Sequence, residues 1–123
     1  MDSFVSKELL EMLGHLTQVE VDTLEFGVIK VDEAGIINLY NKYESELAKV
    51  PISFALGRNF FTQVAICTNN RIFYGRFLEG VKKRDLDVVF NYVFTYNMRP
   101  TNVLIHLYHE KLSLTNWVFV KSR

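Results

Sequence analysis

Val88-Val89-Phe90-Asn91-Tyr92-Val93-Phe94-Thr95-Tyr96-Asn97 places Val88, Phe90, Tyr92, Phe94 and Tyr96 on one side of the chain and Val89, Asn91, Val93, Thr95 and Asn97 on the other. A period of two is the signature of a β-strand, whose side chains point alternately to opposite faces. The stretch therefore predicts a long strand with one aromatic face. Asn97-Met98-Arg99-Pro100 reads as the turn out of it, Asn102 to His109 and Asn116 to Val120 as two further strands, and Lys111 to Thr115 as their polar connection.

Toward the N-terminus the pattern changes. Between about Asn70 and Lys83 the spacing of Phe73, Phe77 and Val81 predicts one long helix packed on a sheet, with Lys82, Lys83 and Arg84 suited to the negative end of its dipole. Phe26 to Val31 and Ile36 to Tyr40 read as a hairpin around Asp32-Glu33-Ala34-Gly35, where glycine supplies the positive φ. Asn41 is a good N-cap for a short helix that Pro51 stops, and Gly57 marks a break before a compact segment from Phe60 to Ala65. Leu9, Leu10, Leu13 and Leu16 predict one or two short helices interrupted at Gly14, so residues 1–25 form a helical cap and residues 26–123 the core of a single α+β domain.

Composition narrows the function. Fourteen Lys plus Arg balance fourteen Asp plus Glu over 123 residues, and no basic stripe follows any element, which argues against nucleic acid as a partner. No apolar run approaches a membrane span, the first residues lack the order of a signal peptide, and one cysteine cannot close an internal disulfide. The expectation is a cytoplasmic monomer or weak dimer without a membrane contact. Aromatic residues make up 14% of the chain, and lining a pocket is one use for them.

Cys67 is the only cysteine. A free cysteine ordinarily behaves as a small buried hydrophobe; its position between Asn59-Phe60-Phe61 and Phe73-Tyr74-Gly75-Arg76-Phe77 also suits a tethering point. Tyr40 reads as packing at a strand end. Asn41-Lys42-Tyr43-Glu44 has the spacing of a capping box, in which Glu44 would reach back to the Asn41 amide. His106 and His109, three apart in a strand, fall on opposite faces and supply neither a base for Cys67 nor a metal site.

Phe26-Gly27-Val28-Ile29, Leu39-Tyr40-Asn41 with Glu44, Asn59-Phe60-Phe61, Val64-Ala65, Cys67-Thr68, Phe73-Tyr74-Gly75 and Trp117-Val118-Phe119-Val120-Lys121 together resemble the photoactive yellow protein family nearly end to end. The resemblance implies a PAS fold, an antiparallel five-stranded sheet with flanking helices. It also implies a blue-light receptor in which p-coumaric acid is held on Cys67 as a thioester. Tyr40 and Glu44 would then hydrogen-bond the buried phenolate, Glu44 being protonated because a dry pocket raises a carboxyl pKa. Light would isomerise the double bond from trans to cis, Glu44 would pass its proton to the phenolate, and the buried carboxylate left behind would loosen the N-terminal cap before thermal recovery. Ala48, Val50, Ile66, Thr68, Phe94, Tyr96 and Met98 would line the pocket, Phe94 as a wall and Met98 as an aid to recovery. An unknown downstream signalling protein would read the change.

Three positions depart from the family pattern: Ala48 replaces a threonine that supports the tyrosine, Val50 an arginine that closes the pocket, and Ile66 a proline. Arg99 reads either as a substitute gate or as a solvated surface residue. A PAS module that binds partners or small ligands without photochemistry is the alternative; a thiol enzyme lacks an evident base.

Overall fold

In the computed structural model, which describes residues 2–95 and 99–123, five strands pair into one antiparallel sheet. They are β1 (Gly27–Val31), β2 (Ile37–Tyr40), β3 (Asp87–Phe94), β4 (Thr101–Glu110) and β5 (Thr115–Ser122). Their order across the sheet is β2-β1-β5-β4-β3, so the last strand of the sequence lies at the centre. The aromatic stretch forms β3 as expected and pairs with β4 along its whole length, from Asp87 opposite Tyr108 to Phe94 opposite Thr101. Tyr96 and Met98 lie outside the described residues.

Alternation divides the sheet into two apolar faces. Ile29, Val31, Ile105, Leu107, Val118 and Val120 point into the main core, where they meet Phe60, Phe61, Phe73 and Phe77. Val28, Trp117 and Phe119 point the other way and are covered by Val5, Leu13 and Val21 from the first 25 residues. β5 is buried on both faces from Asn116 to Val120, which its continuous apolar sequence requires.

The N-terminal segment contains α1 (Lys7–Glu11), a 3-10 turn (Leu13–His15) and α2 (Gln18–Val21). Gly14 sits where a Cβ would come within 3.1 Å of Ser113 on the β4–β5 turn, so the bare backbone lets cap and hairpin approach. α2 begins with a complete capping box between Thr17 and Glu20.

The helical side holds α3 (Lys42–Ala48), α4 (Ile52–Ala55) and α5 (Arg76–Lys83). The single long helix expected from Asn70 to Lys83 is instead a wide π-helical turn, Arg71–Gly75, followed by α5. The Gly75 amide bonds the Asn70 carbonyl five residues back at 2.9 Å. Asn70 also caps the Phe73 amide at 2.9 Å, and the wider turn still brings Phe73, Phe77 and Val81 to the core. Phe60–Val64 is a second π-helical turn. The β4–β5 connection is a turn as expected, with Leu112 and Leu114 exposed on it and Leu114 at φ 57°.

Candidate functional site

β2 ends at Tyr40, and Asn41 starts α3 immediately afterwards. The Asn41 Oδ1 accepts from the Glu44 amide at 3.1 Å and from the Val28 amide at 2.9 Å, while its Nδ2 donates to the carbonyls of Val21 and Phe26, both at 2.9 Å. Asn41 is therefore fully buried and fixes the hinge between strand and helix. The capping box read from Asn41 and Glu44 is only half present. Asn41 caps the helix, but the Glu44 side chain turns into the protein and is fully buried.

Gly27 makes room for it. A Cβ at position 27 would collide with Oε1 of Glu44 and lie 3.1 Å from the Val120 Cβ, so this strand position is a cradle that only glycine leaves open. Tyr40 is also fully buried. Burial, together with the neighbouring Glu44, pushes the Tyr40 phenol well above the usual tyrosine range, so it stays protonated and able to donate. Among the described residues its hydroxyl has no hydrogen-bond partner. A buried hydroxyl without one costs about 1–3 kcal/mol, which makes this atom a candidate contact for a bound group.

Cys67 approaches the same core from another segment. It lies in a 3-10 turn, Ile66–Thr68, between the two π-helical turns, a backbone form that recurs at functional sites. Thr68 Oγ1 donates to the Ala65 carbonyl at 2.6 Å and closes the turn. The Tyr92 hydroxyl on β3 donates to the Cys67 carbonyl at 2.5 Å, and Asn70 Nδ2 reaches the same carbonyl at 3.2 Å. The cysteine backbone is thus tied to the sheet while its side chain remains half-buried.

Tyr40 and Phe94 are buried members of the main core, and Val50 and Cys67 pack against it. Ala48 is buried at the end of α3. Val50 is held by Ser45, whose hydroxyl donates to its carbonyl at 2.7 Å. Phe94 stacks on Phe73 with ring centroids 6.3 Å apart. Ile66, in contrast, is 62% exposed, and Arg99 is at the surface. Tyr92, Asn70 and Gly27 had no assigned role in the sequence reading. Tyr92 belongs to the aromatic face of β3, and Gly27 follows Phe26 at a strand start, but neither position reveals its long-range contact.

The histidines fall on opposite faces as their spacing predicts. His106 lies beneath the cap, its Nδ1 2.6 Å from Ser3 Oγ and its Nε2 2.7 Å from Asp87. His109 pairs on the core face with Asn116, Nδ1 to Oδ1 at 2.7 Å.

No family model matches the chain. The photoactive yellow protein of Rhodothalassium salexigens is 38% identical over 121 residues, covering 98% of this chain and 97% of that protein. The chain belongs to the photoactive yellow protein family. A second photoactive yellow protein, from Halochromatium salexigens, is 36% identical and covers 96% of this chain and 94% of its own. Among solved structures, the photoactive yellow protein domain of the sensor histidine kinase Ppr from Rhodospirillum centenum superposes with a TM-score of 0.85 at 38% identity, over 91% of this chain and 98% of that one. The PAS domain of Bordetella pertussis BvgS, 16% identical with a TM-score of 0.62 over 94% of this chain and 85% of that one, shares the fold alone. The architecture of this photoactive yellow protein family member is thus a PAS fold. Among the described residues no helix is long and apolar enough to cross a membrane.

Proposed function

We propose that this chain is a blue-light photoreceptor that carries p-coumaric acid as a thioester on Cys67 and is not an enzyme. The observation that carries the reading is the Tyr40 hydroxyl, buried and without a hydrogen-bond partner among the described residues, close to the buried carboxyl of Glu44. Two O–H groups in a dry core suit an anionic oxygen, because hydrogen bonds to a charged acceptor are roughly twice as strong as neutral ones. Cys67, half-buried against the same core, is the residue to which a group reaching Tyr40 would be tethered. When bound, the p-coumaroyl group supplies visible absorption and a double bond that light isomerises.

The chain's own residues supply the rest. Tyr40 stays protonated and donates. Glu44 holds a proton at a carboxyl oxygen in the dark and would pass it to the phenolate oxygen of the bound group in the light. The carboxylate left behind is an ion in a buried site, which costs several kcal/mol, a large part of the roughly 5–15 kcal/mol that holds a domain together. The short turns of residues 1–25 are the weakest unit to release, so the cap opens and exposes the sheet face beneath it. Ala48, Val50, Thr68 and Phe94 wall the pocket in this reading, with Ile66 at its outer edge. A cytoplasmic signalling partner would read the exposed surface.

The test is reconstitution with an activated p-coumaric acid, with Cys67→Ala as the control. A visible band that requires Cys67, bleaches in blue light and returns in the dark is expected. A colourless protein, or colour that survives in Cys67→Ala, refutes the reading. Equal amide exchange of residues 1–25 in dark and light would refute the release of the cap separately.

A further inference from the structure

Two side chains of the cap reach the backbone that carries the candidate site. Gln18 Nε2 donates to the Tyr40 carbonyl at 3.0 Å and to Asp22 Oδ1 at 2.9 Å. The same Asp22 oxygen accepts the Lys42 amide at 2.8 Å. Lys42 is the first residue of α3, so its N–H has no acceptor within its own helix. Glu44 is the third residue of that turn, and its amide is capped from within the segment by Asn41. The first turn of α3 therefore has one cap from its own segment and one from the N-terminal cap, twenty residues away in sequence. Between them these contacts hold both ends of the short run from Tyr40 to Glu44.

We propose that Gln18 and Asp22 are positioning residues for the Tyr40–Glu44 pair, and that through them docking of the cap and placement of the two side chains are one linked equilibrium. When α2 leaves, the Tyr40 carbonyl and the Lys42 amide lose these partners, and the turn that holds Glu44 against Gly27 loosens. When the Glu44 carboxyl shifts, the same turn moves and Asp22 loses its donor. Linkage requires the two effects to be equal in factor. This inference rests on the proposed roles of Tyr40 and Glu44, but the coupling itself can be read without colour.

The test compares wild type with Asp22→Ala, Gln18→Met and Asp22→Asn, which keeps the accepting oxygen, each alone and combined with Glu44→Gln. Amide exchange is measured in the dark on unreconstituted protein, and the visible band and dark recovery on reconstituted protein. Loss of a hydrogen bond to a charged acceptor predicts about tenfold faster exchange in residues 2–26 of Asp22→Ala. Acceleration of the amides from Lys42 to Ser45 should accompany it, with Asp22→Asn within about twofold of wild type. Glu44→Gln should itself alter exchange in the cap, and its effect should not multiply with that of Asp22→Ala. In colour, Asp22→Ala and Gln18→Met should shift the band and change recovery. Faster exchange confined to residues 2–26, simple multiplication of the two substitutions, or an unchanged band and recovery would reduce Gln18 and Asp22 to docking contacts and overturn the proposal. If wild type takes up no colour, the photoreceptor reading fails while the exchange measurements still decide the coupling.

Discussion

Tyr40→Phe should have opposite effects on the empty and the loaded protein. In the empty protein the hydroxyl is buried and has no hydrogen-bond partner among the described residues, so deleting it removes a desolvation cost of about 1–3 kcal/mol and leaves the ring packing intact. At about 2.1 cal/mol/K per residue, 123 residues give an unfolding entropy near 0.26 kcal/mol/K, so each kcal/mol moves Tm by about 4 °C. Tyr40→Phe should therefore raise the Tm of unreconstituted protein by about 4–12 °C. In reconstituted protein the hydroxyl would donate to an anionic oxygen, a bond worth about 1.5–3 kcal/mol, and its loss should lower Tm by at least as much. Calorimetric melts of both forms, wild type and variant side by side, measure the difference. A fall in the Tm of the empty variant by more than about 4 °C would refute the reasoning, because the hydroxyl would then be satisfied within the protein and not be available to a ligand.

Gly27→Ala forces a methyl group against Oε1 of Glu44 and toward Val120, and overpacking of this kind typically costs about 1–3 kcal/mol; denaturant melts should show that loss, and reconstituted protein a shifted band. The raised Tyr40 pKa means that the folded state keeps this proton when the unfolded chain begins to lose it near pH 10. Stability is thus independent of this group's titration below pH 10 and declines above it, with a slope approaching 1.4 kcal/mol per pH unit that Tyr40→Phe should remove from alkaline unfolding curves. In the proposed pocket, Ala48→Thr should add a hydroxyl beside the Tyr40–Glu44 pair and so move the absorption band and the recovery rate; an unchanged spectrum and rate would show that position 48 does not act on the pair.

Much of the fold was legible because it rests on local patterns. Alternation marks β3, and glycine at a positive φ marks the turn between β1 and β2 at Gly35. The helix before β3 was read as longer than it is, because a stripe at Phe73, Phe77 and Val81 looks the same whether the first turn is α-helical or the wider π form. What distinguishes them is the bond from the Gly75 amide to the Asn70 carbonyl, which periodicity does not encode. The candidate site shows the same division. Cys67, Tyr40 and Glu44 stand out through the resemblance to the family, because residue type and spacing alone read them as a small hydrophobe, a packed strand end and a helix cap. Local rules favoured a capping role for Glu44, and only the cradle at Gly27, seventeen positions earlier, explains why its side chain turns inward. The tie from Tyr92 to the Cys67 carbonyl spans twenty-five residues and needs the assembled sheet.

The central place of β5 has a consequence for how the protein is made. Before Thr115–Ser122 leaves the ribosome, the nascent chain can form only two separate hairpins, β1 with β2 and β3 with β4, because β5 is the sole strand joining them. Tyr40 is carried by the first hairpin, and Tyr92, which fixes the Cys67 backbone, by the second. The two halves of the candidate site therefore come into register only after β5 has been made, after long-range loop closure of the kind that slows folding. Until then Cys67 is an accessible thiol without a pocket, and a group attached to it would have nothing to hold its far end.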